Sequence, residues 1–321
     1  MPDARTLERP GTRKWHRILD RADITFTLSE HSQEEVLAYL RTIPPSAAAG
    51  DALPSAAGPS VRADLERCRR RAEHGHRAVL IAPLPGLTFA ERRHVAWMVA
   101  NVFGEPLVQN AAGDRLVAVY ARPGTKRVAD GARYHQTREG GGPHTDNVNI
   151  PDHWDYLVFS CIRPGKLGGE SILLNAFAVH AALERIPAAL EILWQPFWWE
   201  YRGLSDDFYE APVVTYTADR EPRFRYMRRY MESAHARVGR PMTSEQVWAL
   251  DALDAVLDDS ALQFRTSMRQ GEILITYDSQ VLHSRTSFCD PSPGAPASLE
   301  EAAAGDCRFF DRVWIRKRGG R

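Results

Sequence analysis

From about residue 115 onward the chain is a series of short apolar runs separated by glycine and proline, and this pattern narrows the possible folds more than any other feature. Candidate strands are Leu116–Ala121, Tyr156–Ile162, Ser171–Leu174, Pro212–Tyr216, Arg223–Met227, Glu272–Tyr277 and Arg308–Ile315. Many short strands punctuated by turn residues predict a sandwich or barrel with helical additions. Helical periodicity interrupts the series at Ala176–Ile186, behind an Asn175 cap, and at Glu245–Leu257, opened by Thr243-Ser244-Glu245-Gln246. Helices and strands do not alternate, which disfavours a doubly wound parallel sheet.

The first hundred residues read differently. Ser32-Gln33-Glu34-Glu35 fits a capping box ahead of Val36, Leu37 and Leu40, and Thr88-Phe89-Ala90-Glu91 opens a helix running to about Phe103. Between them Ala78–Ala82 reads as a short buried strand. Two stretches rich in Pro, Ala and Gly, Ser46–Ser60 and Asp290–Gly305, read as surface loops. No linker divides the chain. The expectation is one domain over residues 1–321, with an α-rich layer (1–114) packed on a β core (115–321) that carries the site.

Charge excludes some functions. Lys+Arg 41 balances Asp+Glu 41, and a protein that grips nucleic acid or an anionic membrane normally carries a basic excess. The start, Met1–Arg9, lacks the apolar segment of a secretory signal, and runs such as Ala96–Phe103 fall short of the roughly 20 residues needed to span a bilayer. Four cysteines, Cys68, Cys161, Cys289 and Cys307, have no C-x-x-C spacing and read as small buried hydrophobes. A cytoplasmic protein without nucleic-acid or membrane partners is expected.

The chemistry begins at Gly140-Gly141-Gly142-Pro143-His144-Thr145-Asp146. Residues two apart on an extended segment point to the same side, so His144 and Asp146 present an imidazole and a carboxylate together. One or two such pairs are expected by chance among 11 histidines and 41 acidic residues, so the spacing alone carries little. Weight comes from Gly271–Asp278, a turn and buried strand that leads through Ser279-Gln280-Val281-Leu282 into His283. A second imidazole from a remote strand completes a two-histidine, one-carboxylate triad, which leaves coordination positions open on a divalent first-row metal. Arg308-Phe309-Phe310-Asp311-Arg312 then sets two arginines at even spacing on one strand face. Each is a planar cation suited to pairing with a carboxylate.

Gly142–Asp146, Gly168-Gly169-Glu170-Ser171, His283-Ser284-Arg285-Thr286-Ser287-Phe288 and Arg308-x-x-x-Arg312 together resemble the Fe(II)/2-oxoglutarate-dependent oxygenases of the TauD/TfdA superfamily, in particular its clavaminate synthase-like branch. The likeness runs from about Arg133 to Arg316. It implies a distorted double-stranded β-helix, or jelly roll, mainly β with N-terminal and inserted helices. His144, Asp146 and His283 would match the iron ligands, and Ser171, in place of the commoner threonine, the hydroxyl that bonds 2-oxoglutarate. Arg308 would pair with the far carboxylate of 2-oxoglutarate, and Arg312 would sit near the co-substrate or an acidic group of the substrate. The 290–305 stretch lengthens the interval from His283 to Arg308 and makes Arg285 a rival for the clamp.

The implied activity is oxidation of an unactivated C–H bond of a small metabolite, an amino acid or derivative in the family's manner, consuming O2 and releasing succinate and CO2. Arg138 and Glu139, just ahead of the iron motif, are candidates for contacting a zwitterionic substrate. The rivals are a zinc-type, non-oxidative hydrolase or isomerase on the same fold, and a binding module without turnover. The aromatic run Trp194, Phe197, Trp198, Trp199, Tyr201 is expected in the core rather than at the substrate site, His135 is expected to be structural, and His153, His180 and His235 lack a partner pattern.

Overall fold

Two eight-residue strands, Tyr156–Arg163 and Phe309–Arg316, pair antiparallel and form the spine of the larger sheet. The computed structural model describes residues 20–44, 47–50, 57–124, 134–146, 148–152, 154–201 and 204–318. In it Ile273–Tyr277 lies beside Tyr156–Arg163, followed by Ala78–Ile81 and Thr25–Phe26, while Glu105–Pro106 and Val117–Val119 both pair with Phe309–Arg316. A smaller antiparallel sheet has Ser171–Asn175 between Phe264–Thr266 and Val281–Arg285. Three two-stranded ribbons complete the β structure.

Side-chain alternation decides what each sheet face touches. Tyr156, Val158, Ile273, Ile275, Val313 and Ile315 turn outward from the larger sheet. They pack on the helices Glu30–Thr42, Pro59–His74 and Phe89–Phe103. On the other face Cys161, Leu274 and Phe310 meet Leu173 and Val281 of the smaller sheet. The outer face of the smaller sheet, through Ile172, Leu174 and Leu282, packs on the inserted helices Ala176–Leu183, Pro187–Leu193 and Ser244–Asp258. The result is mixed α/β, two sheets facing each other with helices outside both.

All seven expected strand regions contain strand, and three of the expected helix starts are capped as read. Thr88 with Glu91 and Thr243 with Gln246 form reciprocal capping boxes, and Asn175 accepts from the Phe177 N–H. The helix Glu30–Thr42 departs from expectation. Its cap is Ser29, because Ser32 is buried and donates its hydroxyl to Asp64. Helices Pro59–His74, Pro187–Leu193 and Arg228–Val238 were not anticipated, nor was Leu299–Ala304 inside the stretch read as a loop. In the N-terminal layer Ala78–Ile81 is the strand expected there, and Thr25–Phe26 and Glu105–Pro106 add two further strands to the larger sheet. Residues 46 and 51–56 of the 46–60 loop, and His153, lie outside the described residues.

The strand Phe309–Arg316 is held to its covering helix by an ion pair that the helical layer buries. Arg93 Nε donates to both oxygens of Asp311, at 3.1 and 2.9 Å, and the Asp311 side chain is 0% exposed. Burial raises the Asp311 pKa, and Arg93 works against that rise. Arg93→Ala leaves a buried carboxylate without its counter-charge, so it is expected to cost about 3–5 kcal/mol. A combined Arg93→Met, Asp311→Leu variant is expected to recover most of that loss, and urea denaturation of the three proteins measures both effects.

Candidate active site

His144 and His283 face each other across an antiparallel bridge. The His144 N–H donates to the His283 carbonyl at 2.9 Å, and the His283 N–H returns to the His144 carbonyl at 2.8 Å. Directly opposed residues of such a pair project to the same face. His283 is also registered against Leu173, so the smaller sheet grows by one bridge to take in His144. The turn beyond is pinned residue by residue. Thr145 exchanges bonds with the Tyr226 backbone, and the Asp146 N–H donates to Asp278 Oδ1 at 3.2 Å.

That backbone brings three acceptor atoms together. Asp146 Oδ1 lies 3.8 Å from His144 Nε2 and 3.7 Å from His283 Nε2, and the two imidazole centroids are 4.6 Å apart. His144 Nδ1 is 2.9 Å from the Gly142 carbonyl. That contact requires the proton on Nδ1 and leaves the Nε2 lone pair toward the carboxylate. Among the described residues this is the one group of three potential metal ligands whose ligand atoms all lie within 4.8 Å of one another.

The other oxygen of Asp146 is taken. Oδ2 accepts from Arg312 Nη1 at 2.8 Å and from Trp314 Nε1 at 2.9 Å, and Arg312 Nε donates to Gln109 Oε1 at 2.9 Å. Burial works to raise the Asp146 pKa, but Arg312 and the two imidazoles outweigh it and hold the carboxyl well below its usual range. Burial lowers both histidines, His283 to about 3 with the neighbouring His144 adding to the effect. At neutral pH the site is one anion and two neutral imidazoles, a donor set of mixed softness that suits a divalent first-row cation. Lone pairs converging in a buried place repel one another unless a cation sits between them, so the residues fit a metal.

The same cavity, of about 120 Å³, is lined between the sheets by Phe159, Leu173, Leu274, Phe310, Ser171 and Arg308 among others. Arg308 Nη1 is buried with no hydrogen-bond partner among the described residues. Its guanidinium lies over the rings of Phe310 (3.8 Å) and Phe288 (5.0 Å). Burial, and then the charge of Arg285, push its pKa down to about 9, which still leaves it charged at neutral pH. A buried cation with an unused donor is a seat for an anion. Arg285 also lines the cavity, but its Nη2 donates to the main-chain carbonyls of Thr137 and Glu139.

His144, Asp146, His283, Ser171, Arg308 and Arg312 therefore share one cavity. Two expected substrate contacts do not join them. Arg138 bonds Asp290 and the carbonyls of Pro293 and Gly294 on the surface, and Glu139 offers its carbonyl to Arg285; neither lines the cavity. Arg312 lies on the cavity wall with its guanidinium on an iron-ligand candidate, Asp146. His135, expected to be structural, lines the cavity, whereas His235 is structural, accepting from the Trp198 N–H. Phe197 and Trp199 are core. The sequence reading missed Gln109, Asn149 and Trp314. Trp314 was within reach, because it continues the even-numbered face of Phe310 and Arg312.

Residues 43–300 match the family model described as taurine catabolism dioxygenase TauD, TfdA family. FR-33289 synthase of Streptomyces rubellomurinus is 24% identical over 98% of this chain and 93% of its own length. Among solved structures, asparagine oxygenase in complex with Fe(II), 2S,3S-3-hydroxyasparagine and succinate superposes with a TM-score of 0.67 at 19% identity, over 91% of this chain and 93% of that one. The non-heme iron oxygenase OrfP in complex with Fe, succinate and (3S)-hydroxy-L-Arg superposes at 0.62 and 14%, over 91% and 94%. At these identities the two superpositions establish a shared fold.

The hydrogen bonds to Asp146 Oδ2 leave Oδ1 facing the two imidazoles, and where a carboxylate holds a metal the loss of such outer partners typically costs 10–100-fold in affinity. Arg312→Met is expected to weaken Mn(II) binding within that range and Trp314→Phe toward its lower end, read by calorimetry on the metal-free protein. The depressed histidines set the pH behaviour. The unfolded chain takes up protons below about 6.5 that the folded metal-free protein refuses, so stability is expected to fall as pH drops through that value. Mn(II) affinity is expected to change less than threefold between pH 7.5 and 6; a tenfold loss there means the imidazoles are solvated.

Proposed function

The chain belongs to the taurine catabolism dioxygenase TauD, TfdA family, and from that premise we propose that it is an Fe(II)- and 2-oxoglutarate-dependent dioxygenase that hydroxylates, or otherwise oxidises, an unactivated C–H bond of an amino acid or amino-acid derivative. The observation that carries the reading is one cavity holding both a convergent His144, Asp146, His283 triad and a buried arginine, Arg308, with a donor unused. A hydrolytic zinc site needs the triad but gives Arg308 no work. We read the two facing sheets as the double-stranded β-helix of this family.

In this reading His144, Asp146 and His283 would hold the iron. Bound there, ferrous ion with 2-oxoglutarate and O2 supplies the oxidising chemistry, and 2-oxoglutarate leaves as succinate and CO2. The protein contributes positioning and dryness. Arg308 pairs with the far carboxylate of 2-oxoglutarate and stays charged near neutrality, its pKa being held at about 9. Ser171, registered opposite Arg285 on the smaller sheet, donates its hydroxyl to the same carboxylate. Gly142 fixes the His144 tautomer, while Arg312 and Trp314 hold Asp146 Oδ2 and leave Oδ1 turned toward the two imidazoles, free to serve a metal. Phe159, Leu173, Leu274 and Phe310 exclude water.

The substrate class rests on the relatives, whose complexes contain hydroxyasparagine, hydroxyarginine and L-Arg. Asn149 Oδ1 is buried in the cavity wall without a partner among the described residues, which suits an N–H donor such as an ammonium or amide. Anaerobic addition of 2-oxoglutarate to the Fe(II) protein is expected to raise a visible charge-transfer band. An amino-acid panel in air is then expected to pick out substrates by succinate release. Arg308→Ala should weaken 2-oxoglutarate binding roughly 30-fold or more, the size of effect for removing one member of a buried charge pair. A wild-type protein that shows no band and makes no succinate refutes the reading.

A further inference from the structure

Arg308 stands just before a strand that begins with a register shift between Phe309 and Phe310, so its own N–H has no partner in the ladder. A buried backbone N–H needs an acceptor. It finds one across the inserted stretch, in Asp290 Oδ1 at 2.6 Å. The other oxygen, Oδ2, accepts from Arg138 Nε at 3.0 Å, and the Asp290 side chain is 1% exposed. Both oxygens of one buried carboxylate thus join the arginine of the co-substrate pocket to a segment of the cavity rim.

That segment is tightly laid. The Phe288 N–H donates to the Arg138 carbonyl at 3.1 Å, and the Gly141 N–H donates to the Arg285 carbonyl at 3.2 Å. A Cβ on Gly140 would stand 2.8 Å from the Ser287 nitrogen, so only glycine allows this approach. Past Gly141, which lines the cavity, the chain reaches Gly142, whose carbonyl meets the His144 ring. Phe288, two residues before Asp290, lies under both the Arg285 guanidinium (4.7 Å) and that of Arg308 (5.0 Å).

We propose that Asp290 is a positioning residue for the co-substrate: its carboxylate sets the backbone, and hence the side-chain aim, of Arg308, and through Arg138 locks residues 138–141 to the same anchor. The inference rests on the reading of Arg308 as the 2-oxoglutarate clamp. It also accounts for how a stretch as long as 290–305 can be inserted between His283 and Arg308 without displacing the arginine. The insertion begins at its own anchor, and its neck is closed again by Ser292 Oγ with Asp306 Oδ2 at 2.9 Å.

The test compares wild type with Asp290→Ala, Asp290→Asn and Arg138→Ala. Three measurements are made on each: 2-oxoglutarate affinity by anaerobic titration of the Fe(II) protein, Mn(II) affinity without 2-oxoglutarate, and hydrogen exchange at the Arg308 amide. Asp290→Ala is expected to weaken 2-oxoglutarate about tenfold and to speed exchange at Arg308 at least tenfold, with Mn(II) affinity changed less than twofold. Asp290→Asn keeps an oxygen for the Arg308 N–H and should stay within about threefold of wild type in both affinity and exchange. Arg138→Ala, which breaks only the second arm, should also stay within about threefold. Should Asp290→Ala not fold, Asp290→Ser, too short to reach the amide, takes its place with the same expectations.

Wild-type affinity in Asp290→Ala, an Asn variant as damaged as the Ala variant, or an equal loss of Mn(II) and 2-oxoglutarate would each overturn the proposal. A wild-type protein that binds no 2-oxoglutarate refutes instead the functional reading on which it rests.

Discussion

Two backbone hydrogen bonds between His144 and His283 set the geometry on which the rest of the site depends. Because the bridge is made by main-chain atoms, the two imidazoles reach the same face whatever their side chains would prefer, and Asp146 follows two residues later. The arrangement is unfavourable for a protein alone, since it gathers acceptors in a buried place. The structure offsets this on the far side of the carboxylate, where Arg312 and Trp314 donate to Oδ2, and leaves Oδ1 and the two Nε2 atoms facing one another.

The two sheets divide the labour. The smaller sheet supplies His283, Ser171 and, by the added bridge, His144. The larger sheet supplies the cations, through one strand whose two faces do different work. Its inner face carries Phe310, Arg312 and Trp314 toward the cavity, while its outer face carries Asp311, Val313 and Ile315 into the helical layer. The Arg93–Asp311 pair is therefore part of how the site strand is seated, although neither residue touches the cavity. Helices on the outside of both sheets make the space between them dry enough for a neutral His283 and an unpaired Arg308 donor.

Legibility followed the range of the forces. Thr88, Thr243 and Asn175 were readable as caps because a cap is completed within three residues. The even spacing of Arg308, Phe310 and Arg312 was readable because strand alternation is local. Helix Arg228–Val238 and the true cap at Ser29 were not, the latter because a distant partner, Asp64, claims Ser32. Arg138 illustrates the same limit. Its sequence neighbourhood points at the iron motif, but Asp290 and the carbonyls of the insertion draw its side chain outward to the surface.

Spacing alone also could not separate His144-x-Asp146 from His153-x-Asp155, which has the same pattern; Asp155 instead accepts from the Lys317 backbone at 2.7 Å. What the sequence determined by itself was the inventory: strand periodicity, a glycine-rich entry to a His-x-Asp pair, a histidine closing a buried strand, and two arginines on one face. Which oxygen of Asp146 stays free, which arginine keeps an unused donor, and what anchors Arg308 were decided only in three dimensions. Each depends on a hydrogen bond or burial contributed by a segment far away in the chain, and no local pattern encodes the partner.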